Sequence, residues 1–400
     1  ASRNEITQIL AGLFKHSSAR EIDKVCYLIL GELVPAYRGV ELNLAEKMMI
    51  RIIAKAYGDD VIRVTAMYKK SGDLGDVVQE LKAQNSKLKT ITKNLKLSVS
   101  DVYDKLLEVA QESGAGSQER KVGLMASLLC ELDPLSAKFV SRIPVGKLRL
   151  GFSDVTILDA LSVMERGDKS LRRQIEAAYN VAADIGKIAQ QVRQGGIAAV
   201  SKIDPEPGIP IRPALAERLQ IVEKVIEKVG PQVGVEPKLD GFRVQIHVWH
   251  EGKEKHVALF SRNLENTTAM FPEIVKAARG LEVKSVILDG EAIGYNPKTG
   301  KFAPFQETVQ RKRKHSVDEW AEKIPLRAFV FDILHLNGKD LLSETFAKRR
   351  EILEKTLKDY ENGIKLTEHM VTSDFGVITA QLRKNLEAGL EGIVVKKLDA

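Results

Sequence analysis

The sequence contains little cysteine and no long apolar segment, and each shortage excludes a class of protein. Its 400 residues include only Cys26 and Cys130, which excludes a disulfide framework and a zinc site. Both lie in apolar helical patterns typical of buried free thiols in a reducing compartment. No apolar run reaches the roughly 18 residues that cross a bilayer, and the N-terminus does not read as a secretory signal. We therefore expect a soluble, intracellular protein with no membrane partner.

The composition indicates several domains and an acidic partner. A chain of 400 residues with 44% hydrophobic residues is long enough for two or three cored domains. Its 61 Lys and Arg residues exceed its 54 Asp and Glu residues, which gives a formal charge of +7 and a pI near 9.1. This balance favours polyanionic partners such as nucleic acid, although many basic proteins bind none.

The first half of the chain has helical periodicity. Up to about residue 200, apolar residues recur at helical spacing, for example Leu106 and Val109, which follow Ser98 and Asp101 in capping-box positions. Four prolines and a glycine between residues 204 and 213 cannot continue a helix. We therefore predict an all-α domain at residues 1–208, a linker at its end, and a second domain at residues 209–400.

The second half has strand periodicity as well as helices. Phe242, Val244, Ile246 and Val248 alternate with polar residues and precede a His-Glu-Gly-Lys turn at 250–253, which predicts a half-buried β-hairpin. Further strands are predicted at 257–260, 286–288, 329–333 and 393–395, with helices near 264–278 and 377–388. The second domain is therefore predicted to be mixed α and β.

The segment Glu-Pro-Lys-Leu-Asp-Gly-Phe-Arg at 236–243 places a lysine at the start of a strand. One interpretation is structural: Lys238 caps the strand and pairs with Asp240. The other is covalent catalysis, because desolvation and neighbouring cations can keep a lysine amine partly neutral, so that it attacks phosphorus. The segment alone does not decide between them, but four further segments follow in order, and each supplies a group that such a site requires.

Together these segments resemble the nucleotidyltransferase domain of ATP-dependent DNA ligases, especially those of the archaeal replicative type. The resemblance covers essentially the whole chain. Its ordered motifs are 236–243, Phe-Ser-Arg-Asn at 260–263, Leu-Asp-Gly-Glu at 288–291, Phe-Val-Phe-Asp at 329–332 and Glu-Gly-Ile-Val-Val-Lys at 391–396. The resemblance implies a multidomain protein, with an all-α DNA-binding domain followed by an α/β (α+β) nucleotidyltransferase domain of the ATP-grasp-like ligase type.

The resemblance also implies roles for five residues in ATP binding. Lys238 would be the nucleophile that becomes joined to AMP, and Glu236 would lie beside the adenine amino group. Arg243 and Arg262 would hold ribose and phosphate oxygens, a task suited to the fixed donors of a guanidinium. Phe331 would stack on the adenine ring, although its position also fits a core aromatic in an apolar strand.

Three further residues are implied in metal and phosphate binding. Glu291 and Glu391 are oxygen ligands of the kind that Mg²⁺ prefers together with phosphates and water, and the family places them near the metal. Solvated strand ends are the alternative interpretation of both. Lys396 would neutralise charge that develops on the α-phosphate.

The helical half resembles the DNA-binding domain of the same ligases. The matching pieces are Lys-Ser-Gly-Asp-Leu-Gly at 70–75, Gly-Lys-Leu-Arg-Leu-Gly at 146–151 and the linker 207–216. Glycines beside basic residues let backbone amides and cations approach phosphates, and the residues concerned are Lys70, Gly72, Lys147, Arg149 and Gly151. Ordinary turns with solvated charges are the alternative. The basic stretches 82–96 and 311–314 are further candidate contacts with the DNA backbone.

The implied activity is sealing of nicks in duplex DNA through a lysyl-AMP intermediate, with ATP as co-substrate and Mg²⁺ as cofactor, in DNA replication, repair and recombination. The implied partner is nicked double-stranded DNA, and a sliding clamp is a further candidate partner. We expect a monomeric protein that lies in the cytoplasm and associates with the nucleoid.

The family continues beyond the last motif with an OB-fold domain that this sequence lacks. A catalytically impaired scaffold that binds DNA ends therefore remains an alternative, as does an RNA ligase or capping-type nucleotidyltransferase. The helical half argues against the RNA enzymes, and the intact motifs argue against the scaffold.

Overall fold

The computed structural model describes residues 2–85, 96–219, 221–296, 302–313, 316–358, 360 and 362–400. The chain divides into two compact units, one formed by 1–179 with 184–203 and the other by 180–183 with 204–400. The predicted break in helix is confirmed, since no residue between 204 and 213 lies in a helix or strand. Within the described ranges, no helix is long and apolar enough to span a membrane.

The described part of the first unit is helical, as predicted. A single turn of 3-10 helix spans Ala36–Arg38. The α-helices before the linker are Arg3–His16, Ile22–Leu30, Glu46–Tyr57, Val61–Ser71, Leu74–Gln84, Val99–Gln111, Ser117–Glu131, Pro134–Arg142, Asp154–Arg166, Arg172–Val181 and Ile185–Val200.

Local sequence signals set several of these helix ends. The predicted capping box is confirmed, because the Ser98 side chain accepts from the backbone of Asp101, whose carboxylate accepts in return. The helix Val61–Ser71 ends at Gly72, whose φ of 69° suits glycine. Apolar faces of the helices meet in one core, where side chains such as Phe14 and Met125 are fully buried.

The second unit contains two β-sheets. The strands are β1 (Val233–Lys238), β2 (Phe242–Glu251), β3 (Glu254–Ser261), β4 (Val286–Gly294), β5 (Leu326–Leu336), β6 (Lys339–Asp340), β7 (Ile364–Leu366), β8 (Met370–Thr372) and β9 (Gly392–Lys397). The smaller sheet has strand order β8-β1-β9, and the larger has order β3-β2-β4-β5-β6, with β7 parallel to β5.

Helices accompany both sheets in this unit. The helix Pro272–Arg279 packs Ile274 and Ala278 into the core of the larger sheet. The α-helices after the linker are Val222–Val229, Pro272–Arg279, Phe305–Thr308, Val317–Lys323, Phe346–Thr356 and Phe375–Glu387, and the 3-10 turns are Thr268–Met270 and Val309–Arg311. The mixed α and β prediction is therefore confirmed.

The prediction of a half-buried β2 is wrong, because both of its faces are covered. Gln245 and His247 are buried like their apolar neighbours. Gln245 exchanges two hydrogen bonds with the backbone of Ile211, at 2.6 and 3.0 Å, and the Gly208 amide donates to Nδ1 of His247 at 3.1 Å. The proline-rich break itself therefore covers the polar face of the strand and satisfies its side chains.

The predicted helix at 264–278 is also corrected. Leu264 has a left-handed φ of 64°, which an α-helix does not allow, and the α-helix begins only at Pro272. Proline at a first helical position loses no helical hydrogen bond. The apolar spacing before Pro272 therefore belongs to a turn and a short 3-10 segment.

The first residue of each basic stretch is buried, which excludes it from contact with DNA. Lys82 is buried and donates at 2.8 Å to the backbone oxygens of Leu129 and Cys130. Arg311 is also buried and pairs with Glu273 at 2.5 Å. Lys82 and Arg311 therefore have structural roles, and the prediction that they contact the DNA backbone is wrong. Residues 86–95 and Lys314 lie outside the described residues.

Candidate functional site

The pairing of β1 with β9 assembles the first part of the site. In the antiparallel register Lys238 lies opposite Gly392, and the Glu391 amide donates to the Lys238 carbonyl at 3.2 Å. The Lys238 ammonium forms an ion pair with the Glu391 carboxylate, and both side chains are about half exposed. The residue that the sequence offered as its partner was Asp240. The pair with Glu391 instead links two of the sequence motifs.

Glu236 lies two residues earlier on β1 and is buried. Its Oε2 is 2.6 Å from the Lys396 ammonium. Nδ1 of His369 and Nη1 of Arg350 lie 3.5 and 3.6 Å from its other oxygen, Oε1. Burial works against ionisation, but the polar contact with His369 and the charges of Lys396 and Arg350 outweigh it and lower the pKa of Glu236.

The pairing of β2 with β4 assembles the second part of the site. Arg243 lies opposite Glu291 in this register, two residues from Asp289 along β4. Its guanidinium donates to both Asp289 oxygens, at 3.0 and 2.6 Å, and lies 5.2 Å from the centre of the Phe331 ring. This two-point pair fixes the orientation of the guanidinium.

An irregularity in β5 positions Phe331. Opposite Asp289 and Gly290 on β4, the register passes from Asp332 to Val330, so that Phe331 is left without a partner. Such a bulge re-aims a side chain. Half-buried Phe331 has the Lys396 ammonium 4.7 Å from its ring centre, so the core-aromatic interpretation of this residue does not describe its surroundings.

Glu291 has a strongly altered acidity. Burial, assisted by the Asp289 charge, raises its pKa to about 7 against the opposing charges of Arg243 and Lys238. A bound cation would stabilise the ionised form of such a buried carboxyl group, because it replaces the water that burial removes. Because the Lys238 charge acts on Glu291 and Lys238 pairs with Glu391, the two carboxylates share one lysine as neighbour.

Comparisons with known proteins identify the family. The family model described as ATP dependent DNA ligase domain matches residues 213–400, and the one described as DNA ligase N terminus matches residues 1–162. The chain belongs to the ATP-dependent DNA ligase family.

Individual ligases align with the chain over nearly all its length. A probable DNA ligase of Dictyoglomus turgidum is 43% identical over 399 residues, which is 100% of this chain. DNA ligase 2 of Thermofilum pendens is 39% identical over 403 residues, again 100% of the chain, and the DNA ligase of Thermoplasma volcanium is 39% identical over 398 residues, or 99%. The chain spans 66% of the length of each of these three curated relatives.

Two structural observations indicate that the site residues could bind ATP and a divalent cation. Oε1 of Glu236 is buried and accepts no hydrogen bond from the described part of the chain, so an acceptor is available to a ligand donor. Two carboxylates, Glu291 and Glu391, lie about Lys238. Among the described residues no group of three or more His, Cys, Asp or Glu side chains is placed to hold a metal. Mg²⁺ needs only one or two carboxylates when phosphates supply the other oxygens.

Arg262 has fewer contacts with the other predicted site residues than any of them has. It is exposed in the turn after β3, immediately beyond Ser261, which pairs with Val244. The register therefore brings Arg262 level with Arg243 at the edge of β2 and β3.

The predicted DNA-binding residues of the chain occupy two turns of the helical unit. Arg149 has a positive φ of 57° and donates to the Gly72 carbonyl at 3.4 Å. Arg149 also pairs with Asp73 at 3.3 Å. Lys147 pairs with Glu46 and donates to the Tyr68 hydroxyl at 3.4 Å.

The remaining two residues of that set lie at the ends of the same segments. Lys70 is exposed in the last turn of the helix Val61–Ser71, and Gly151 is exposed with a φ of 74°. Each of the two segments thus presents basic residues beside a glycine with positive φ.

Several residues that hold the motif side chains in place were not predicted from the sequence. These are Asp289 beside Arg243, Arg350 and His369 beside Glu236, and Arg349, whose guanidinium contacts both Asp332 oxygens at 2.8 and 3.1 Å. Asp289 and Asp332 lie inside recognised motifs, where each acidic residue beside a candidate was a signal. Arg350 and His369 lie outside every motif, and only the fold brings them to Glu236.

Proposed function

We propose that this chain performs ATP-dependent sealing of nicks in duplex DNA, with Lys238 as the covalent nucleophile. The observation that supports this most strongly is the β1 and β9 register, which places Lys238 and Glu391 together and Lys396 beside Glu236. A lysine surrounded by carboxylates and a second cation suits transfer of a phosphoryl group more than it suits a structural strand end.

The first step joins AMP to the enzyme. The unprotonated Nζ of Lys238 donates its lone pair to the α-phosphorus of ATP, and the bond from that phosphorus to the bridging oxygen breaks. Pyrophosphate leaves with the electron pair, and the nitrogen loses a proton to give a phosphoramidate. Glu391 contacts Lys238 and is the carboxylate positioned to take that proton or to orient the amine.

Two further transfers complete the reaction. An oxygen of the 5′-phosphate at the nick attacks the AMP phosphorus, and the bond to Nζ of Lys238 breaks. The adjacent 3′-hydroxyl then attacks the activated 5′-phosphorus, expels AMP and forms the phosphodiester. Positioning and neutralisation of charge account for most of the catalysis in such transfers.

Residues around Lys238 bind the nucleotide in this proposal. Glu236 accepts a hydrogen bond from the adenine amino group, and Phe331 stacks on the ring. Arg243 and Arg262 hold ribose and phosphate oxygens. Lys396 neutralises charge on the α-phosphate, which requires its ammonium to leave or share its contact with Glu236.

Glu291 and Glu391 are the proposed ligands of Mg²⁺, which when bound would withdraw charge from the phosphate oxygens. The raised pKa of Glu291 fits this role, because a cation would stabilise its ionised form. Glu391 also pairs with Lys238, and the charges of Glu291 and Lys238 attract each other, so that both carboxylates help to hold the amine near the phosphate.

The helical domain, taken as residues 1–208, is proposed to bind nicked duplex DNA through Lys70, Gly72, Lys147, Arg149 and Gly151. The following domain, residues 209–400, is proposed to have an ATP-grasp-like ligase fold. A DNA substrate places the protein in the cytoplasm with the nucleoid and its roles in replication, repair and recombination. A monomeric state and a sliding-clamp partner stay predictions.

Intact-mass measurement after incubation with ATP and Mg²⁺ tests the first step. We expect the wild-type chain to gain one AMP and the Lys238→Ala variant to gain none. The matched control is Lys397→Ala, since Lys397 is an exposed lysine of β9 that pairs with Asp399. That control is expected to gain AMP as the wild type does.

Other outcomes distinguish the alternatives. A wild-type adduct with GTP in place of ATP would favour a capping-type enzyme. Absence of any adduct with ATP or GTP would contradict the covalent mechanism and favour a DNA-binding scaffold. An AMP adduct that persists in Lys238→Ala would move the nucleophile to another residue.

A further inference from the structure

The carboxylate of Glu236 is held on one side and open on the other. Oε2 is 2.6 Å from Lys396, whereas Oε1 is buried and accepts no hydrogen bond from any described residue. The nearest polar groups to Oε1 are Nδ1 of His369 at 3.5 Å and Nη1 of Arg350 at 3.6 Å. Both of these nitrogens are themselves buried without a hydrogen bond within the described ranges. A buried polar cluster in this state has capacity for a ligand.

Arg350 is fixed in place by contacts other than Glu236. It projects from the helix Phe346–Thr356 and is buried. Its Nε donates to Glu354 at 2.7 Å, and its Nη2 donates to the backbone oxygen of Thr367 at 2.8 Å. Its third nitrogen therefore presents a positive charge to Oε1 of Glu236 without closing a hydrogen bond on it.

His369 is fixed by packing. Its ring meets the edge of Phe346, with 5.7 Å between centroids. On the other side it fills the space beside Gly234 on β1, where an added Cβ would lie 2.7 Å from Cε1 of His369. Any side chain at Gly234 would therefore displace the imidazole from Glu236.

We propose that Arg350 and His369 are positioning residues that hold the Glu236 carboxylate so that Oε1 accepts a hydrogen bond from the nucleobase, and that they thereby set the preference for ATP over GTP. Neither residue touches the reacting atoms. The inference rests on the proposed function, since it assigns the base-selecting geometry of that same site.

The selectivity follows from the chemistry of the two bases. Adenine carries an amino group, a donor, where guanine carries a carbonyl oxygen, an acceptor. An ionised carboxylate accepts from the first and repels the second, while a protonated carboxyl group can donate to guanine instead. Lys396, Arg350 and His369 are the charged or titratable groups that face Glu236. Loss of one cation would raise the pKa of Glu236 and weaken the discrimination.

The test compares rates of nucleotide adduct formation with ATP and with GTP, by intact mass, over a range of pH. The variants are Arg350→Met, which removes the charge at similar length, and Arg350→Lys, which restores it. Lys348→Met is the matched control, because Lys348 lies on the same helix, is exposed and pairs with Glu351.

For Arg350→Met we expect kcat/KM for ATP to fall about tenfold, mainly through KM, because a charged contact to the carboxylate is lost. The ratio of ATP to GTP use should fall as well. The acidic limb of the pH profile should move to higher pH, since Glu236 would protonate more readily. Arg350→Lys should recover much of each effect, and Lys348→Met should match the wild type.

His369→Phe provides a second route to the result if Arg350→Met fails to fold, because it keeps an aromatic ring against Phe346 and removes both ring nitrogens. An unchanged ATP to GTP ratio and an unchanged acidic limb in whichever variant folds would overturn the inference. A uniform loss of rate at every pH with the ratio preserved would overturn it too, because that pattern indicates general damage. Absence of an adduct in the wild type would instead overturn the proposed function, and with it the basis of this inference.

Discussion

His247 is a residue that the fold keeps uncharged. Its side chain is fully buried on β2, accepts from the Gly208 amide and packs edge-on against Phe260 with 4.8 Å between ring centroids. Burial lowers the pKa of His247 from 6.5 to about 3. Its alternation with apolar residues predicted an exposed side chain, because periodicity on one strand cannot report what covers its second face.

This depressed pKa predicts a specific dependence of stability on pH. The unfolded chain takes up a proton below pH 6.5, whereas native His247 does so only near pH 3. The contribution of neutral His247 to the free energy of unfolding is therefore fully present above pH 6.5. It is lost as pH falls, by up to about 1.4 kcal/mol per pH unit. Urea unfolding of the wild type and of His247→Asn, which keeps an acceptor near Nδ1, measures the difference in slope.

The control for this measurement is His250→Asn, because His250 is exposed at the end of the same strand. It should show the wild-type slope, whereas His247→Asn should show a shallower one. Equal slopes for wild type and His247→Asn would mean that His247 titrates as an ordinary histidine.

At the scale of elements, a buried lysine of one helix binds the carboxyl-terminal end of another helix in the first unit. Lys82, from the helix Leu74–Gln84, donates to two carbonyls at the end of the helix Ser117–Glu131. Those carbonyls have no partner within their own helix, and a cation is favourable there. In the sequence Lys82 reads as the first member of a solvated basic stretch, because burial depends on a helix distant in the chain.

Replacement of this lysine is expected to destabilise the first unit. Lys82→Met keeps the apolar stem but leaves the Cys130 carbonyl without its donor and the Leu129 carbonyl with only the Tyr57 hydroxyl at 3.4 Å, so we expect a loss of roughly 2 kcal/mol of unfolding free energy. Chemical denaturation followed by circular dichroism measures it. Lys69→Met, at an exposed position of a nearby helix, should change stability little. A loss of similar size in both variants would show that the two carbonyl contacts do not matter.

The β5 strand shows how an irregular element shapes the site. Its apolar run from Phe329 to Ile333 predicted a strand, and β5 confirms it. The run contained no sign of the bulge at Phe331, because a register shift arises from pairing with β4. The candidate stacking residue was found through its motif, whereas its orientation depends on this local irregularity.

At the scale of the whole molecule, the formal charge of +7 is compatible with a nucleic-acid substrate without locating it. The helical unit offers the two turns that contain Lys70 and Arg149, and neither of those side chains is buried. Lys147 and Arg149 each pair with a carboxylate, Glu46 and Asp73 respectively. Asp73 also pairs with Arg142, so the charge of Arg149 is less fully neutralised than that of Lys147. Contacts with DNA should therefore depend more on Lys70 and Arg149 than on Lys147.

Salt dependence of binding to nicked duplex DNA tests this ranking. If each side chain neutralises one phosphate, Lys70→Met and Arg149→Met should each reduce the slope of log K against log salt by about 0.9. Lys147→Met should reduce it less, and the exposed control Lys15→Met should leave it unchanged. Equal slopes in all four variants would remove these turns from the DNA interface.

The sequence by itself determined the local features of this protein. Helical periodicity, the capping box at Ser98, the break between 204 and 213 and the order of the five motifs are all properties of neighbouring residues. They sufficed to predict a helical region, a mixed α and β region and the family. They also named Lys238, Glu391 and Lys396, which the structure brings to adjacent strands.

Only the tertiary structure decided which groups surround those residues. Arg350 and His369 reach Glu236 because a helix and a loop pack against β1, and no spacing in the sequence records that packing. The same holds for Asp289 beside Arg243, which depends on strand register, and for buried Lys82. Burial and register are set by contacts between segments far apart in the chain, so the local pattern that places each residue on an element cannot specify its neighbours.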